Sequence, residues 1–322
     1  AGKTETISQS VDVANPKLWS VDSPNLYWVR TEIIQNGKVV DSTDSRFGIR
    51  YIATDPNSGF YLNGVHTKLN GVCEHSDLGS LGMETYQAAV DRRIRTLKKY
   101  GVNAIRTSHN PVSPEFIEAC DRLGMLVFEE AFDQWLYSKN SDDYHNYFNK
   151  AADGKTVVFD KAGNDNTNND TSYIEVKRDD LQSNAERDIK AMVERDKNAP
   201  CIFAWSTGNE IYDARYKHGE NTLDMLTGWI KEIDTTRPVA ACPPTWDNYW
   251  ANNAQQEKHL AKAEMSGFNY ATGQYDGAHS RYPNMVIFGS ETVSAYYYRG
   301  VYFLEGEGSS DRCNEYPTYW TF

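Results

Sequence analysis

From about residue 60 onward, short apolar segments alternate with longer amphipathic ones. An apolar run of about four to eight residues is typical of a buried strand, whereas apolar positions spaced three and four apart indicate a helix. This pattern predicts strands at 67–72, 103–107, 125–129, 201–205, 239–242, 265–270 and 286–289, and helices at 83–100, 113–123, 175–195, 223–233 and 255–263. Such strict alternation predicts parallel strands joined by helical crossovers.

The first part of the chain has a different, β-rich pattern. Strands are predicted at 6–13, 27–35 and 38–45, and the pair Asn36-Gly37 predicts a two-residue hairpin turn between the last two. These strands are too few for a complete immunoglobulin-type sandwich of about 100 residues. We therefore expect residues 1–58 to be part of an immunoglobulin-like β-sandwich domain.

Polar or charged side chains recur where the later strands end: Arg106, Glu129, Glu130, Glu210, Tyr270 and Glu291. A doubly wound parallel sheet is the alternative fold for alternating strands and helices. A (β/α)8 TIM barrel is favoured because it gathers the carboxyl ends of its strands around one mouth.

We therefore predict a barrel over residues 59–322. Its eighth unit is expected in the short segment 292–322, as in a barrel truncated at its C-terminus. The polar stretch 138–172 is predicted to be a long loop over one face.

Two of the strand-end residues are glutamates that follow strongly apolar runs. The run 201–205 is followed by a short polar turn and Glu210, and the run 285–289 leads to Glu291. A lone glutamate is usually a solvated surface group, but a strand buried on both faces makes that alternative less favourable here. Two carboxyl groups about 5–5.5 Å apart are the machinery of retaining glycosidic bond hydrolysis. The pair therefore predicts an enzyme that cleaves glycosidic bonds.

Composition and charge narrow the classes of partner. The chain has 33 basic and 45 acidic residues, a formal net charge of −12, which argues against a nucleic-acid partner. It has no apolar run of about 18 residues, so no membrane-spanning helix is expected. The N-terminal residues lack a signal-peptide pattern, but such a segment is removed on maturation. The bacterial cytoplasm, the periplasm and secretion are therefore all open, and so is the oligomeric state.

The chain has five cysteines, which are Cys73, Cys120, Cys201, Cys242 and Cys313. No two of them form a Cys-x-x-Cys pair, and their number is odd. Buried free thiols are therefore favoured over a disulfide framework or a zinc site.

Four separated motifs resemble glycoside hydrolase family 2, above all its β-galactosidases. The stretch 196–210, DKNAPCIFAWSTGNE, is similar to the family's acid/base signature, although Ala199 stands where the family often has histidine. The stretch 103–111, NAIRTSHNP, resembles a second family element, and 288–295, FGSETVSA, resembles the nucleophile strand. The stretch 16–27, PKLWSVDSPNLY, resembles part of the immunoglobulin-like domain before the barrel.

The resemblance implies a retaining enzyme that releases terminal β-D-galactosyl residues, with Glu291 as nucleophile and Glu210 as acid/base. It also implies that Asn209 contacts the sugar 2-hydroxyl, that Arg106 orients the nucleophile, and that Tyr270 donates a hydrogen bond near Glu291. Further residues are implied to contact the sugar: His109, Asn110 and His75. A sugar-binding domain preceding this chain is expected as well.

Three more residues are candidates for the sugar site. Asp133 and Trp135 follow the third barrel strand, where they would hold sugar hydroxyls and stack on the ring, or simply pack the loop. Trp320 is expected at the eighth strand as an aromatic platform for the sugar.

Two absences bear on cofactor and substrate. Gln134 and Leu136 stand where the magnesium-dependent relatives have glutamate and histidine, so neither a metal nor another cofactor is expected. No lysine follows Glu291, whereas the resemblance implies that a uronide-cleaving enzyme has one there. The alternatives that stay open are a β-glucuronidase, β-galacturonidase or β-mannosidase, and a non-catalytic carbohydrate-binding fragment.

Overall fold

The structure, a computed structural model, describes residues 2–136, 159–161, 173–175, 183–245 and 253–293. Its N-terminal part holds two small antiparallel sheets. The first pairs β1 (Tyr27–Gln35) with β2 (Lys38–Phe47), and the second joins β3 (Ile52–Asp55), β4 (Gly59–Leu62) and β5 (Val65–His66). Asn36 and Gly37 have φ values of 52° and 74°, as a two-residue hairpin turn requires. The predicted hairpin is therefore confirmed.

Other N-terminal predictions need correction. The strand predicted at 6–13 is wrong, because no neighbouring strand of the described chain lies beside it to share backbone hydrogen bonds. The sheet β3–β5 was not predicted, since its strands are too short for an alternating pattern to register. Residue 58 falls in the turn between β3 and β4, and the domain division placed there stays a prediction.

Seven parallel strands form the main sheet. The first three are β6 (Gly71–His75), β7 (Ala104–Ser108) and β8 (Leu126–Glu130). Next in the sequence comes a separate antiparallel pair, β9 (Phe159–Lys161) and β10 (Tyr173–Glu175). The last four strands of the main sheet are β11 (Ile202–Asn209), β12 (Val239–Cys242), β13 (Met265–Asn269) and β14 (Ile287–Glu291). The seven strands lie in the sheet in the same order as in the sequence. A doubly wound sheet would reverse its strand order at a switch point, so that alternative is wrong, and the order is that of a TIM barrel.

Helices connect the barrel strands. They are α1 (Gln87–Lys99), α2 (Pro114–Leu123), α3 (Asn184–Asp196), α4 (Lys217–Lys231), α5 (Ala254–Lys262) and α6 (Tyr275–Arg281). The prediction that α3 begins at 175 is wrong, since Glu175 ends β10. Ser183 sets the start of α3, because its hydroxyl oxygen accepts a hydrogen bond from the backbone N–H of Glu186 at 3.1 Å. The predicted eighth unit and most of the predicted loop 138–172 lie outside the described residues.

The N-terminal part is tied to the barrel by buried polar contacts. Trp19 is fully buried, and its indole N–H donates to the backbone oxygen of Asp121 at 2.8 Å. Arg50 donates to the backbone oxygens of Pro200 and Ile202 at 2.6 and 2.5 Å. The two bonds of Arg50 satisfy carbonyl groups at the start of β11, so the N-terminal part helps to hold the barrel strand that leads to Glu210.

The described residues also test the predictions about the cysteines and about membrane-spanning helices. Cys73, Cys120, Cys201 and Cys242 are free thiols, as predicted. The last three are buried, whereas Cys73 is exposed, so the prediction of burial is wrong for it. Cys313 lies outside the described residues. Over the ranges that the structure covers, no helix has the length and apolar character needed to span a bilayer.

Candidate active site

Strand β11 carries Asn209 and Glu210 to the carboxyl end of the sheet. All eight of its residues are buried, as expected of an apolar barrel strand. At Gly208 a Cβ atom would lie 2.6 Å from a methyl carbon of Ile211 and 2.9 Å from the indole nitrogen of Trp135, so only glycine fits. Glu210 follows with a φ of 46°, a left-handed conformation that costs a non-glycine residue about 1–3 kcal/mol. The turn therefore points Glu210 away from the direction of the strand.

Glu291 ends β14 and is held by three hydrogen-bond donors. Arg106 Nη1 donates to its Oε1 at 2.7 Å, and Asn269 Nδ2 donates to the same oxygen at 3.0 Å. Tyr270 Oη donates to Oε2 at 2.5 Å. Donors of this kind stabilise the charged form of a carboxyl group. Both oxygens of the Glu291 carboxyl group therefore accept hydrogen bonds from donors on or directly after other barrel strands.

Arg106, on β7, is the cation of the site. Its guanidinium also donates to Glu130, at 2.8 Å from Nη2 to Oε2, and to the amide oxygen of Asn209 at 2.8 Å. Burial alone would lower the pKa of Arg106, but the negative charges of Glu130 and Glu291 raise it well above the ordinary value. The guanidinium thus stays charged and joins the ends of four barrel strands.

Glu130, the last residue of β8, is fully buried and ionised. Burial alone would raise its pKa, but the charge of Arg106 and hydrogen bonds from His109 and Ser206 outweigh burial and hold the pKa below the ordinary value. His109 Nδ1 lies 2.6 Å from Glu130 Oε1, and Ser206 Oγ donates to Oε2 at 2.7 Å. The other ring nitrogen of His109 lies 3.8 Å from Glu291. Because Glu130 accepts from Nδ1, it sets the orientation of the imidazole ring toward Glu291.

Two asparagines and an aspartate complete the described site. Asn209 Nδ2 donates to Asp133 Oδ1 at 3.0 Å, so the exposed carboxylate of Asp133 is anchored to the residue that precedes Glu210. Asn269 Nδ2 lies 3.3 Å from Glu210 Oε1 and 3.0 Å from Glu291 Oε1. One amide group therefore touches both glutamates.

The structure brings most of the predicted site residues together, but their roles stay predictions. Glu210, Glu291, Asn209, Arg106, His109, Tyr270 and Asp133 form one connected cluster of hydrogen bonds. His75 borders this cluster through an edge-to-face contact of its ring with His109, at 5.4 Å between ring centroids. Asn110 is exposed, and its side chain donates to Ser76 Oγ at 3.2 Å, at the edge of the site.

The stacking interpretation of Trp135 is corrected. Its side chain is fully buried, and the indole N–H donates to the backbone oxygen of Thr207 at 2.8 Å. With no exposed face, the ring packs the interior and has no surface for a sugar. Trp320 lies outside the described residues.

Sequence analysis missed two residues of the cluster, Glu130 and Asn269. The adjacent glutamates at 129 and 130 were noted only as strand-end residues. Side chains of a strand alternate between its faces, so just one of the two was able to reach Arg106, and the strand register would have identified it. Asn269 had a weaker signal, since it precedes Tyr270 at the end of β13.

The comparisons with known families decide the identity. The family description "Glycosyl hydrolases family 2, TIM barrel domain" matches residues 54–259, and "Glycosyl hydrolases family 2" matches residues 1–50. The chain belongs to glycosyl hydrolase family 2. Its TIM barrel is therefore the barrel domain of that family, and the predicted family resemblance is confirmed.

Relatives within family 2 carry different names. This chain is 31% identical to a β-galactosidase of Bacteroides ovatus, over 99% of this chain and 36% of that protein. It is 37% identical to a protein of Formosa agariphila provisionally named a β-glucuronidase, over 71% of this chain and 18% of that protein. A crystal structure of a family 2 member from Bacteroides cellulosilyticus superposes with a TM-score of 0.72 and 36% identity, covering 87% of this chain and 31% of that one. The chain thus spans about a third or less of the length of these relatives.

The charge of this family 2 site bears on what it binds. Four carboxyl groups lie in the cluster, from Glu130, Asp133, Glu210 and Glu291, and the guanidinium of Arg106 is already shared by two of them. Within the described ranges, no group of three or more His, Cys, Asp or Glu side chains is arranged to hold a metal ion. The described site offers carboxyl groups positioned by hydrogen-bond donors, which can act as acid, base or nucleophile.

Proposed function

We propose that this chain carries the catalytic site of a retaining β-glycosidase that releases terminal β-D-galactosyl residues. Glu291 is the nucleophile and Glu210 is the acid/base. The observation that carries the proposal is the contact of both carboxyl groups with Asn269 Nδ2, at 3.0 and 3.3 Å. The two glutamate oxygens cannot be farther apart than the sum of these two distances. This limit favours the separation of about 5–5.5 Å of retaining enzymes over the about 6.5–9.5 Å of inverting ones.

In the first step Glu291 attacks the anomeric carbon and the glycosidic bond breaks. Both lone pairs of Oε1 are engaged by Arg106 and Asn269, whereas among the described residues Oε2 accepts a hydrogen bond from Tyr270 alone. Oε2 therefore has a lone pair left and is the attacking atom. Glu210 gives its proton to the departing glycosidic oxygen, so that the leaving group departs as a neutral alcohol.

In the second step water releases the sugar from Glu291. Glu210, now ionised, takes a proton from that water, and the resulting hydroxide attacks the anomeric carbon. The bond from the sugar to Oε2 breaks, and Glu291 returns to its carboxylate form. Arg106 stabilises this returning charge, since it contacts Oε1 at 2.7 Å.

Galactose is proposed as the sugar because of the extent of one alignment and because of the negative charge of the site. The β-galactosidase of Bacteroides ovatus aligns with 99% of this chain. A uronide carries a carboxylate, which the acidic cluster around Glu291 and Asp133 would repel, and no lysine follows Glu291. The second candidate, a β-glucuronide, is kept because of the 37% identity with the Formosa agariphila protein.

A panel of aryl β-glycosides tests substrate and mechanism together. The β-galactoside should be hydrolysed with the highest kcat/KM, and Glu291→Gln should lower kcat by roughly four orders of magnitude or more. A slow-reacting 2-fluoro galactoside should form a covalent adduct on the peptide that contains Glu291, as detected by mass spectrometry. Preference for the glucuronide would overturn the substrate. An adduct on another residue, or full activity of Glu291→Gln, would overturn the mechanism.

A further inference from the structure

Asn269 lies between the two proposed catalytic carboxyl groups. It is the last residue of β13 and is fully buried. Its Nδ2 atom lies 3.0 Å from Glu291 Oε1, 3.3 Å from Glu210 Oε1 and 3.2 Å from Asn209 Oδ1. A neutral donor therefore stands between the two groups that exchange charge during the reaction.

The orientation of this amide group is determined by its neighbours. The three atoms near Nδ2 are two carboxylate oxygens and an amide oxygen, and carboxylate and amide oxygens accept hydrogen bonds. On the other side, Ser290 Oγ lies 2.6 Å from Asn269 Oδ1 and donates to it. A flipped amide would place Oδ1 against three acceptors, so only one orientation satisfies the cluster.

The backbone of Asn269 is held as firmly as its side chain. Its N–H donates to Thr245 Oγ1 at 2.7 Å, and the Thr245 hydroxyl in turn donates to the backbone oxygen of Asn269 at 2.9 Å. Both residues are fully buried. The amide group is thus preorganised and needs no rearrangement when the charge of a neighbouring carboxyl group changes.

We propose that Asn269 is a positioning residue that serves both catalytic carboxyl groups in turn. This inference rests on the proposed function. Before the first step Glu291 bears the charge, and the amide donates chiefly to it. In the covalent intermediate Glu291 is an ester and Glu210 is the carboxylate, so the same amide group donates chiefly to Glu210. A hydrogen bond to a charged acceptor is stronger than one to a neutral acceptor, so the stabilisation follows the charge.

The pH profile distinguishes this role from a purely structural one. Asn269 Nδ2 donates to both carboxyl groups, so its removal takes one hydrogen-bond donor away from the ionised form of each. The acid limb of the kcat/KM profile reports the ionisation of Glu291, and the basic limb reports the loss of the proton of Glu210. In Asn269→Ala both limbs should therefore move to higher pH, by roughly one unit, while kcat falls by roughly ten- to a hundredfold.

Ser266→Ala is a matched control on the same strand. Ser266 is fully buried on β13, and its hydroxyl donates to the backbone oxygen of Leu260 at 2.7 Å, away from both glutamates. Its loss should lower thermal stability without moving the pH profile. If Asn269→Ala does not fold, Ser290→Ala decides, because it frees Oδ1 of Asn269 and should move both limbs in the same direction by a smaller amount.

The outcomes separate this inference from the proposed function. If the wild-type protein hydrolyses no aryl glycoside, the proposed function fails, and the inference fails with it. If the wild-type protein is active and the profile of the folded Asn269 variant does not move, only the inference is overturned. Movement of both limbs to higher pH in Asn269→Ala, with an unmoved profile in Ser266→Ala, supports it.

Discussion

Arg106 and Glu130 form a buried ion pair that connects the candidate nucleophile to the barrel interior. Arg106 Nη2 lies 3.1 and 2.8 Å from the two oxygens of Glu130, and the side chains are 4% and 0% exposed. Removing one partner of such a pair leaves an uncompensated buried charge, at a cost of about 3–5 kcal/mol. The pair is therefore a source of rigidity for Arg106, which in turn positions Glu291.

We expect Glu130→Gln to lower kcat/KM by roughly a hundredfold or more, because the negative charge and one of the two oxygens that Arg106 and His109 contact are lost. The free energy of unfolding should fall by about 3–5 kcal/mol. Steady-state kinetics on an aryl β-galactoside and urea unfolding measure the two effects. Unchanged kinetics in a folded variant would contradict the positioning role of Glu130.

Glu129→Gln is the matched control, since Glu129 is the neighbouring residue of the same strand and is also fully buried. Burial and the charge of Asp196 raise the pKa of Glu129 well above its ordinary value. A raised pKa contributes stability below about pH 4.5 that is lost as the pH rises toward the folded-state pKa. A neutral glutamine does not incur this loss, so the variant should be at least as stable as the wild type at pH 7. Its activity should be retained.

Glu210→Ala should separate the two chemical steps. With an aryl β-galactoside whose leaving group needs no protonation, the covalent intermediate should still form, but its hydrolysis lacks a base. We expect kcat to fall by roughly a thousandfold and azide to restore turnover, with a β-galactosyl azide as the product. An α-configured azide would contradict the retaining mechanism, and absence of any azide effect would contradict the role of Glu210.

Tyr270→Phe removes the hydroxyl that donates to Glu291 Oε2 at 2.5 Å. Because this oxygen is the proposed attacking atom, its hydrogen bond must weaken on attack and re-form when the sugar departs. We expect kcat to fall on the order of a hundredfold, with accumulation of the covalent intermediate. Burst kinetics with an aryl β-galactoside measure that accumulation. Equal rates with and without the hydroxyl would remove Tyr270 from the site.

Asp234 provides a test of acid stability far from the site. Burial alone would raise its pKa, but Arg237 and the hydroxyl and N–H of Thr236 outweigh burial and hold the pKa at about 2. A lowered pKa contributes stability above about pH 4 that is lost as the pH falls toward 2. Asp234→Asn should therefore lower stability at pH 7 by about 1 kcal/mol or more and flatten the loss between pH 4 and 2. Thermal unfolding over this pH range measures both.

Much of the barrel was predictable, because burial imposes a local pattern. The strand 239–242 was predicted with the bounds that the structure has, since Val239–Cys242 is a short run buried on both faces. The helix before β11 was predicted too long, because amphipathic spacing continued through residues that belong to β10 and to the segment outside the described residues. The helix itself begins after Ser183, whose hydroxyl caps it. Hydrophobic periodicity carries no signal for such a single hydrogen bond.

The site was predictable in its residue types more than in its connections. Glu210 and Glu291 were found because each follows an apolar run, and that signal is local. Glu130 and Asn269 act through hydrogen bonds to residues at least 20 positions away, such as Arg106 and Glu291. Trp135 was ambiguous for the same reason, since its burial depends on Thr207 and on the absence of a side chain at Gly208.

The sequence by itself determined the order and the kind of the elements, because hydrophobic periodicity and turn chemistry act between neighbouring residues. Only the tertiary structure decided which side chains share a hydrogen bond at the ends of the strands. Parallel strands bring residues from distant parts of the chain within 3 Å of one another, as Asn269 and Glu291 show. Donor and acceptor geometry at that range depends on strand register and backbone conformation, including the left-handed φ of Glu210 and Tyr270.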